Sequence, residues 1–248
     1  MTELTWVGHA TALVDSGTTR VLTDPLLTKR VAHLRRRVPV PGPDAADVDV
    51  VLLSHAHGDH LHLPSLKRIR RDAQVLTPAG TGRLLRSAGF RDVTEVRTGD
   101  RATIGDVSIE VVPAAHSHKR GPHSRVEARP VGYIIDDGSN RVYFPGDTDL
   151  FDSMGDLADI DVALLPIWGW GSTLGTGHLD PARAAIAAER IAPRLIVPIH
   201  WGTYAPEDGR RRTPTWFHDP PEQFEAAITE RHLTDSLRVV QPGDGIVL

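Results

Sequence analysis

Apolar residues along this chain fall into short runs that glycine, proline and acidic residues separate. Short runs of this kind, rich in Val, Ile and Leu and bounded by turn residues, predict β-strands rather than helices. The first three runs predict an antiparallel meander, and two later pairs predict hairpins. The strands are expected at residues 4–7, 11–14, 20–23, 50–53, 74–77, 92–97, 101–104, 107–112, 131–135, 141–144, 162–167 and 195–199, with a final pair around 243–245.

Helical segments alternate with the later strands. Asp180 and Pro181 open the clearest of them, since aspartate is a favoured N-cap and proline a favoured first helical residue. Helices are expected at residues 66–72, 80–88, 150–157, 181–191 and 221–231, and residues 25–47 form a long connection. The two halves of the chain each run strands first and helices after. This order predicts a mixed α/β fold, a two-sheet sandwich with helices outside, in a single domain over residues 1–248.

Composition narrows the functional classes. The chain has 248 residues and a net charge of −4, which gives no general attraction to nucleic acid or to an anionic membrane. It contains no cysteine, which excludes disulfides, thiolate metal ligands and cysteine nucleophiles. Its apolar runs are far shorter than the ~20 residues of a membrane helix, so no membrane insertion is expected. The amino terminus has neither the basic start nor the apolar segment of a secretory signal, and a cytoplasmic location is therefore expected.

Residues 54–60 read Ser-His-Ala-His-Gly-Asp-His and follow the buried strand expected at 50–53. Four of them are side chains of the kind that binds metal: His55, His57, Asp59 and His60. Alternation along an extended backbone puts the first three on one side, and Gly58 is expected to let the chain turn His60 back toward them. Four ligands this close cannot all surround one tetrahedral ion without strain. The spacing therefore suggests two ions side by side.

Three more side chains of ligand type follow apolar strands, each beside a glycine or proline turn: His116, Asp147 and His200. Histidines and aspartates at four separate strand ends are hard to explain as packing residues, because buried charge needs a partner. Together they predict a shared metal site. Asp24, which ends the third strand, is a candidate to orient a ligand imidazole from behind. His9 lies between two strands and is interpreted as a structural residue.

These residues resemble the metallo-β-lactamase superfamily, whose signature His-x-His-x-Asp-His is followed by His, Asp and His at later strand ends. The resemblance covers nearly the whole chain and implies a four-layer αββα sandwich. It implies that one ion is held by His55, His57 and His116. It implies that a second ion is held by Asp59, His60 and His200. Asp147 would bridge the two ions.

Further motifs look like the branch that contains N-acyl-phosphatidylethanolamine phospholipase D and L-ascorbate-6-phosphate lactonase. They are residues 8–11, 23–25, 146–148, 178–181 and 199–203. The phospholipase end of this branch is closer, through the long basic insertion at 25–43 and the sequence His-Trp-Gly-Thr at 200–203. Lactam-cleaving members commonly use a cysteine ligand, which this chain lacks. Flavo-diiron members carry a glutamate in the position of Asp59, which disfavours electron transfer here.

The chemistry implied by this resemblance is hydrolysis of a phosphodiester, or of a phosphorylated or lactone small molecule, by a hydroxide that bridges two divalent ions. Zinc is the first expectation, and manganese and iron suit the same ligands. Asp59 is expected to be chiefly a ligand, with general-base catalysis as a secondary role. His178 is the candidate catalytic residue outside the ligand set, donating a hydrogen bond or proton to substrate. The alternative for His178 is a helix-entry histidine that is hydrogen-bonded locally.

Other features leave alternatives open. The basic residues within 29–37 form either a solvated face or a contact for an anionic group near the site. An aromatic group forms either a wall of the site or part of the core: Trp168, Trp170, Trp201 and Tyr204. His118 and His123 either line the site mouth or lie in an exposed loop, and Arg210–Arg212 form a late basic cluster. A metal-dependent nuclease of the same fold and a non-catalytic metal-binding scaffold are the alternative functions. The expected partner is an anionic or phosphate-bearing small molecule; no nucleic acid is expected, and a homo-oligomer is compatible with the sequence.

Overall fold

The computed structural model describes residues 1–121, 123–207 and 213–248 of the chain. The arginine cluster at 210–212 lies outside these residues. Among the helices within them, none has the length and apolar character needed to cross a bilayer.

The first sheet contains the amino-terminal meander and the strand that leads into the 54–60 motif. Its strands are β1 (Glu3–Gly8), β2 (Thr11–Asp15), β3 (Arg20–Thr23), β6 (Val50–Leu52), β7 (Gln74–Pro78), β8 (Val93–Val96) and β16 (Gly245–Val247). They are ordered β16-β1-β2-β3-β6-β7-β8. The meander β1-β2-β3 is antiparallel, whereas β3, β6, β7 and β8 run parallel. Parallel strands end at the same edge of a sheet, so the chain leaving β6 emerges at the edge where β3 also ends.

The second sheet is built from the two predicted hairpins and two later parallel strands. Its strands are β9 (Arg101–Ile104), β10 (Val107–Pro113), β11 (Val131–Asp136), β12 (Arg141–Phe144), β13 (Val162–Pro166) and β14 (Leu195–Ile199). They are ordered β14-β13-β12-β11-β10-β9. The strands β12, β13 and β14 are parallel, and β10 pairs antiparallel with β11. His116, Asp147 and His200 therefore follow strands that finish at one edge of this sheet.

Four layers stack around two apolar cores. In β6, Val50 and Leu52 face the core between the two sheets, whereas Val51 faces the opposite core. That second core lies beneath α1 (Leu63–Leu66) and α2 (Gly82–Ser87), which contribute Leu66 and Leu85. On the far side, α3 (Pro181–Ile191) and α4 (Pro220–Thr229) cover the second sheet. The αββα sandwich expected from the sequence is confirmed.

The connection at 25–47 is more ordered than the sequence analysis expected. It contains β4 (Arg30–Val31) and β5 (Leu34–Arg36), which pair with β15 (Tyr204–Pro206) in a small third sheet, and a 3₁₀ turn at Pro43–Ala46. The basic side chains of this hairpin contact the protein itself. Arg36 is buried and donates hydrogen bonds to the carbonyls of Leu26 and Pro39. Arg30 and Arg35 both form ion pairs with Glu207.

Three elements differ from their expected positions. The helix expected at 66–72 is a single turn, α1, which begins earlier because Pro64 fixes the backbone for its first turn. The helix expected at 150–157 is a 3₁₀ turn at Asp152–Asp156. The final strand pair is one strand, β16, which pairs with β1 instead of with a neighbouring segment. The N-cap of α3 is as expected, since the Asp180 carboxylate accepts a hydrogen bond from the Arg183 amide at 2.8 Å.

Candidate metal centre

Seven side chains that the sequence singled out converge at the common edge of the two sheets. They form two clusters in which the potential ligand atoms lie within 4.8 Å of one another. The first cluster consists of His55, His57, His116 and Asp147. Within it, His57 Nδ1 lies 3.0 Å from His55 Nε2 and 3.0 Å from His116 Nε2. This group of nitrogen atoms is close enough to share one ion.

The second cluster consists of Asp59, His60, His200 and a residue that the sequence analysis had not included, His9. The Nε2 atoms of His60 and His200 are 3.3 Å apart. His9 was interpreted as structural, but its Nε2 atom lies 3.1 Å from Asp59 Oδ2. Its ring also packs against that of His200, with the centroids 3.9 Å apart. The structure therefore places His9 in the candidate site.

His9 and His200 hold each other in an unusual backbone conformation. Both are non-glycine residues with positive φ, 55° and 68° respectively, a conformation that costs about 1–3 kcal/mol when the surroundings impose it. The His200 amide donates to the His9 carbonyl at 3.0 Å, and the His9 amide donates to Thr203 Oγ1 at 2.8 Å. Two strained residues fixed together in this way indicate that the fold gives their imidazoles a defined position.

Asp147 lies between the two clusters. Its Oδ2 atom is 3.3 Å from His60 Nε2 and 3.9 Å from His55 Nε2, and its Oδ1 atom is 3.1 Å from His200 Nε2. The turn that delivers it requires glycine at position 146, where φ is +64° and a Cβ would lie 2.2 Å from Ser54 Cβ. The Oδ2 atom therefore lies near imidazoles of both clusters, and the Oδ1 atom faces the second cluster.

Asp24 supports imidazoles of both clusters from behind, as the sequence analysis anticipated. It is fully buried, and its Oδ2 atom accepts hydrogen bonds from His60 Nδ1, at 2.7 Å, and from the Ser54 hydroxyl. The Ser54 oxygen in turn accepts from His55 Nδ1 at 2.9 Å. One buried carboxylate thus fixes the ring orientation of one histidine directly and of another through a serine.

These contacts also determine which ring nitrogen carries the proton. In four of the histidines the Nδ1–H group donates to a protein oxygen, which leaves the lone pair on Nε2. The four acceptors are Ser54 Oγ for His55, Asp24 Oδ2 for His60, the Gly177 carbonyl for His116 and the Trp168 carbonyl for His200. Their bare Nε2 atoms all face inward.

The inward-facing atoms fit a cation. The buried Asp147 Oδ1 atom has no hydrogen-bond donor and faces the bare Nε2 atom of His200 at 3.1 Å, and His60 Nε2 lies 3.3 Å from the same His200 atom. Acceptors that face one another across such distances repel unless a positive charge lies among them. The donor set of imidazole nitrogen and carboxylate oxygen is one that zinc, manganese and iron all accept.

Local electrostatics favour the protonation states that ligands require. Burial lowers the pKa of His116 to about 4 and that of His200 to about 3. Burial alone would raise the pKa of Asp147, but His200 and His60 outweigh it and hold that pKa well below its usual range. His60 is the exception, because burial opposes its charge but Asp147 and Asp59 outweigh burial and raise its pKa, so that an ion beside its Nε2 atom would displace a proton. The carboxylates are therefore ionised and most of the imidazoles neutral at neutral pH, so the cluster attracts cations.

A cavity of about 640 Å³ opens onto both clusters. Arg120 lines it and is half-buried, with its guanidinium donating to the Ala56 carbonyl at 2.7 Å. Trp170 also lines the cavity, and its indole N–H donates to Asp59 Oδ2 at 3.2 Å. Arg120, which the sequence did not single out, is therefore a cationic side chain at this site.

The predicted aromatic wall is reduced to Trp170. Trp201 is buried against Trp6, with ring centroids 5.3 Å apart, and Tyr204 is buried with its hydroxyl donating to the Thr28 carbonyl. Both belong to the interior of the protein. Trp168 is partly buried against the core. His118 lines a separate cavity, and His123 is exposed.

His178 lies at the edge of the first cluster and faces the cavity. Its Nε2 atom is 3.5 Å from Asp147 Oδ2, and its Nδ1 atom is 3.1 Å from the Gly175 carbonyl. Burial would lower the pKa of His178, but the contact with Asp147 outweighs burial and raises it. Both interpretations of His178 are therefore compatible with its position. Its Nδ1 atom makes the local hydrogen bond, and its Nε2 atom lies beside the candidate metal ligand Asp147.

Comparison with known proteins agrees with this arrangement. The β-lactamase superfamily domain matches residues 19–201, which include the 54–60 motif and every later strand end described above. The chain belongs to the metallo-β-lactamase superfamily.

Relatives in this superfamily match over almost the whole chain. A UPF0173 metal-dependent hydrolase of Methanopyrus kandleri is 31% identical over 247 residues, covering 98% of each chain. The N-acyl-phosphatidylethanolamine-hydrolyzing phospholipase D 1 of Caenorhabditis elegans is 30% identical over 226 residues, covering 81% of this chain and 64% of that protein. These similarities bear out the branch to which the sequence motifs pointed.

Solved structures share the fold. The metallo hydrolase Igni18 from Ignicoccus hospitalis superimposes with a TM-score of 0.71 at 24% identity, covering 99% of this chain and 97% of that one. An isothiocyanate hydrolase from Delia radicum gut bacteria gives a TM-score of 0.74 at 17% identity, covering 99% and 98%. At these identities the similarity concerns the fold alone.

Proposed function

We propose that this protein is a metal-dependent hydrolase that holds two divalent ions, zinc by first expectation, one in each histidine–aspartate cluster. The observation that carries the proposal is the position of Asp147, whose Oδ2 atom lies 3.9 Å from His55 Nε2 of the first cluster and 3.3 Å from His60 Nε2 of the second. Two ions held there would supply a nucleophile near neutral pH and would polarise the group under attack.

The substrate we propose is a phosphodiester, or a phosphorylated or lactone small molecule, that enters the 640 Å³ cavity. Arg120 supports an anionic substrate, because its charge lies in the cavity wall and its contacts are with neutral carbonyls. The name of the Caenorhabditis elegans relative supports a phosphodiester, and the UPF0173 names support metal-dependent hydrolysis. A cytoplasmic location is part of this proposal and rests on the sequence.

The chain's own residues divide the work around the substrate. Asp59 acts as a ligand rather than as a base, because its Oδ2 atom already accepts hydrogen bonds from His9 and Trp170. Two donors stabilise the ionised carboxylate and oppose its taking up a proton. His178 donates a hydrogen bond or proton to the leaving oxygen of the substrate from its place beside the first cluster.

The alternative functions have weaker support. A nuclease needs cations that track a phosphate backbone. The candidates for that role are engaged within the protein, since Arg30 and Arg35 pair with Glu207 and Arg36 is buried. A non-catalytic scaffold predicts missing ligands, whereas all seven predicted ligands converge. We therefore keep a small-molecule partner and expect no nucleic-acid partner.

Metal analysis paired with a substrate screen tests this function. The purified protein is assayed for zinc, manganese and iron, and then with bis-p-nitrophenyl phosphate and a panel of lactones. The proposal expects His57→Ala to remove both the metal and the hydrolysis. His118→Ala is the matched control, since this exposed histidine lines a different cavity. This variant is expected to keep both the bound metal and the hydrolysis. Full hydrolysis by His57→Ala would overturn the proposal.

A further inference from the structure

A second, smaller cavity adjoins the metal cavity on the other side of Trp170. Its volume is about 320 Å³, enough for about ten non-hydrogen atoms at about 30 Å³ each. The two cavities share four lining residues: Ala32, Gly58, Asp59 and Trp170. We call the smaller one the side pocket. A molecule with its reacting group at the metal clusters therefore lies next to this pocket, on the other side of Trp170.

Trp170 forms the partition between the two cavities. Its side chain is 40% exposed, and it is held by the hydrogen bond to Asp59 and by an edge-on contact with the His33 ring at 5.5 Å. The rest of its loop, residues 168–177, is rich in glycine. A large aromatic ring with few contacts on a glycine-rich loop can move aside without disturbing the core.

The side pocket is mainly apolar. Val31 and Leu34, from strands β4 and β5 of the basic hairpin, supply aliphatic walls, and the Trp170 ring covers one side. The long connection at 25–47 therefore contributes to the site through its apolar residues, while its arginines contact the protein. Apolar walls of this kind favour a hydrocarbon group on the bound molecule.

Three polar side chains line this pocket, and His62 is the buried histidine among them; the other two are His33 and Asp59. His62, only 8% exposed, lines the pocket, and its Nδ1 atom lies 2.8 Å from Ser65 Oγ. The Ser65 oxygen accepts a hydrogen bond from the Leu27 amide at 2.7 Å. Within the described residues, the acceptor for the Ser65 hydroxyl proton is His62 Nδ1. The proton of the His62 ring is therefore on Nε2, which has no partner among the described residues.

We propose that the side pocket is a substrate subsite, in which the Nε2–H group of His62 donates a hydrogen bond to a carbonyl oxygen on an apolar arm of the substrate. The inference rests on the proposed function, because the arm is attached to the group held at the metal clusters. The substrate class it specifies is an anionic ester with a short acyl or oxoalkyl chain. The fixed tautomer of His62 excludes an arm that ends in a donor group, which would face the same N–H.

Binding of phosphonates to the metal-loaded protein tests this subsite without requiring turnover. The probes are methylphosphonate, the butyl, hexyl and octyl phosphonates, and their analogues with a ketone one carbon from the chain end. Calorimetry is expected to show that the hexyl or octyl chain binds more tightly than methyl. The ketone analogue of the same chain length is expected to bind about five times more tightly still, which corresponds to one neutral hydrogen bond.

Two variants assign the gain to its donor. His62→Phe keeps an aromatic ring but removes the N–H, so it is expected to abolish the ketone gain while keeping the chain-length gain. His33→Phe is the matched control, because it makes the same change on the exposed imidazole of the same pocket. This control is expected to retain both gains. A ketone gain that survives in His62→Phe, or that disappears in His33→Phe, would overturn the assignment.

The outcomes separate this inference from the proposed function. If methylphosphonate binds but neither chain nor ketone improves affinity, the side pocket is not a subsite and the hydrolase proposal stands. If no phosphonate binds to the metal-loaded protein, both the subsite and the anionic substrate class are wrong.

Discussion

Replacing Asp24 by asparagine tests how the site is organised. The carboxylate is fully buried and accepts three hydrogen bonds, from the Ser54 amide, the Ser54 hydroxyl and His60 Nδ1. Asparagine keeps one oxygen for the Ser54 amide but presents an NH₂ group to the other two donors. To avoid facing donor with donor, His60 must move its proton from Nδ1 to Nε2, where the lone pair is needed for a metal ion.

The expected size of the effect follows from these contacts. Loss of an orienting partner of a metal-bound histidine typically lowers metal affinity 10–100-fold, or about 1.4–2.8 kcal/mol. The loss is expected to be larger for the second cluster, because Asp24 contacts His60 directly and reaches His55 only through Ser54. Without metal, the variant also loses charge-assisted hydrogen bonds worth about 1.5–3 kcal/mol each, so the apo-protein is expected to unfold at lower temperature.

The assay is a competitive zinc titration against a chelator, with thermal unfolding of the apo-protein in parallel. Asp106→Asn is the matched control, since this surface carboxylate also accepts hydrogen bonds from hydroxyl groups but lies outside both clusters. It is expected to leave both zinc affinities unchanged. If Asp24→Asn binds both ions as tightly as the wild type, the tautomer argument is refuted.

Three further changes probe individual positions. His9→Met is expected to weaken the second ion about tenfold, while His9→Gln, which keeps an N–H at that place, retains it; a cobalt titration followed by absorbance compares them. His178→Ala is expected to lower turnover about 10²–10⁴-fold with metal content unchanged, and loss of an ion would instead make it a ligand. Gly146→Ala forces a Cβ against Ser54 at positive φ and is expected to destabilise the fold by about 2 kcal/mol or more. Gly17→Ala, where φ is positive but a Cβ meets no neighbour, is expected to lower the free energy of unfolding by about half as much. Urea unfolding of both variants measures the difference.

The sequence predicted the strands well because short apolar runs bounded by turn residues are local signals. Hairpins such as β9–β10 and β11–β12 carry their own turn residues, so pairing follows from neighbours in the chain. The ends of β6, β10, β12 and β14 could be located because turn residues follow each apolar run. Ligand-type residues directly after those strands were therefore identified before their proximity was known.

The helices were predicted less accurately because their ends depend on weaker signals. Asp180 and Pro181 set the start of α3 correctly. The turn at Leu63–Leu66 has no apolar periodicity long enough to define it, and Pro64 alone marks its beginning. The strand β16 was expected near 243–245, but its pairing with β1, at the opposite end of the chain, has no local signal.

The residues missed at the site are those whose partners are distant in sequence. His9 meets Asp59 across 50 positions. Arg120 reaches the cavity from an irregular segment, whereas the more obvious arginines at 30–36 bond to the protein itself. For His9 a signal was present, since a histidine directly after Gly8 in a strand connection is compatible with positive φ and a special position. Gly58 was given a role it does not need, because its φ is not positive.

The measurement that tests the central claim most directly is anomalous diffraction from a crystal grown with excess zinc. Two peaks are expected, one among His55, His57 and His116, the other beside His60 and His200, with the Asp147 carboxylate between them. A single peak, or none at the edge where the two sheets meet, would contradict the proposal that this superfamily member holds two ions.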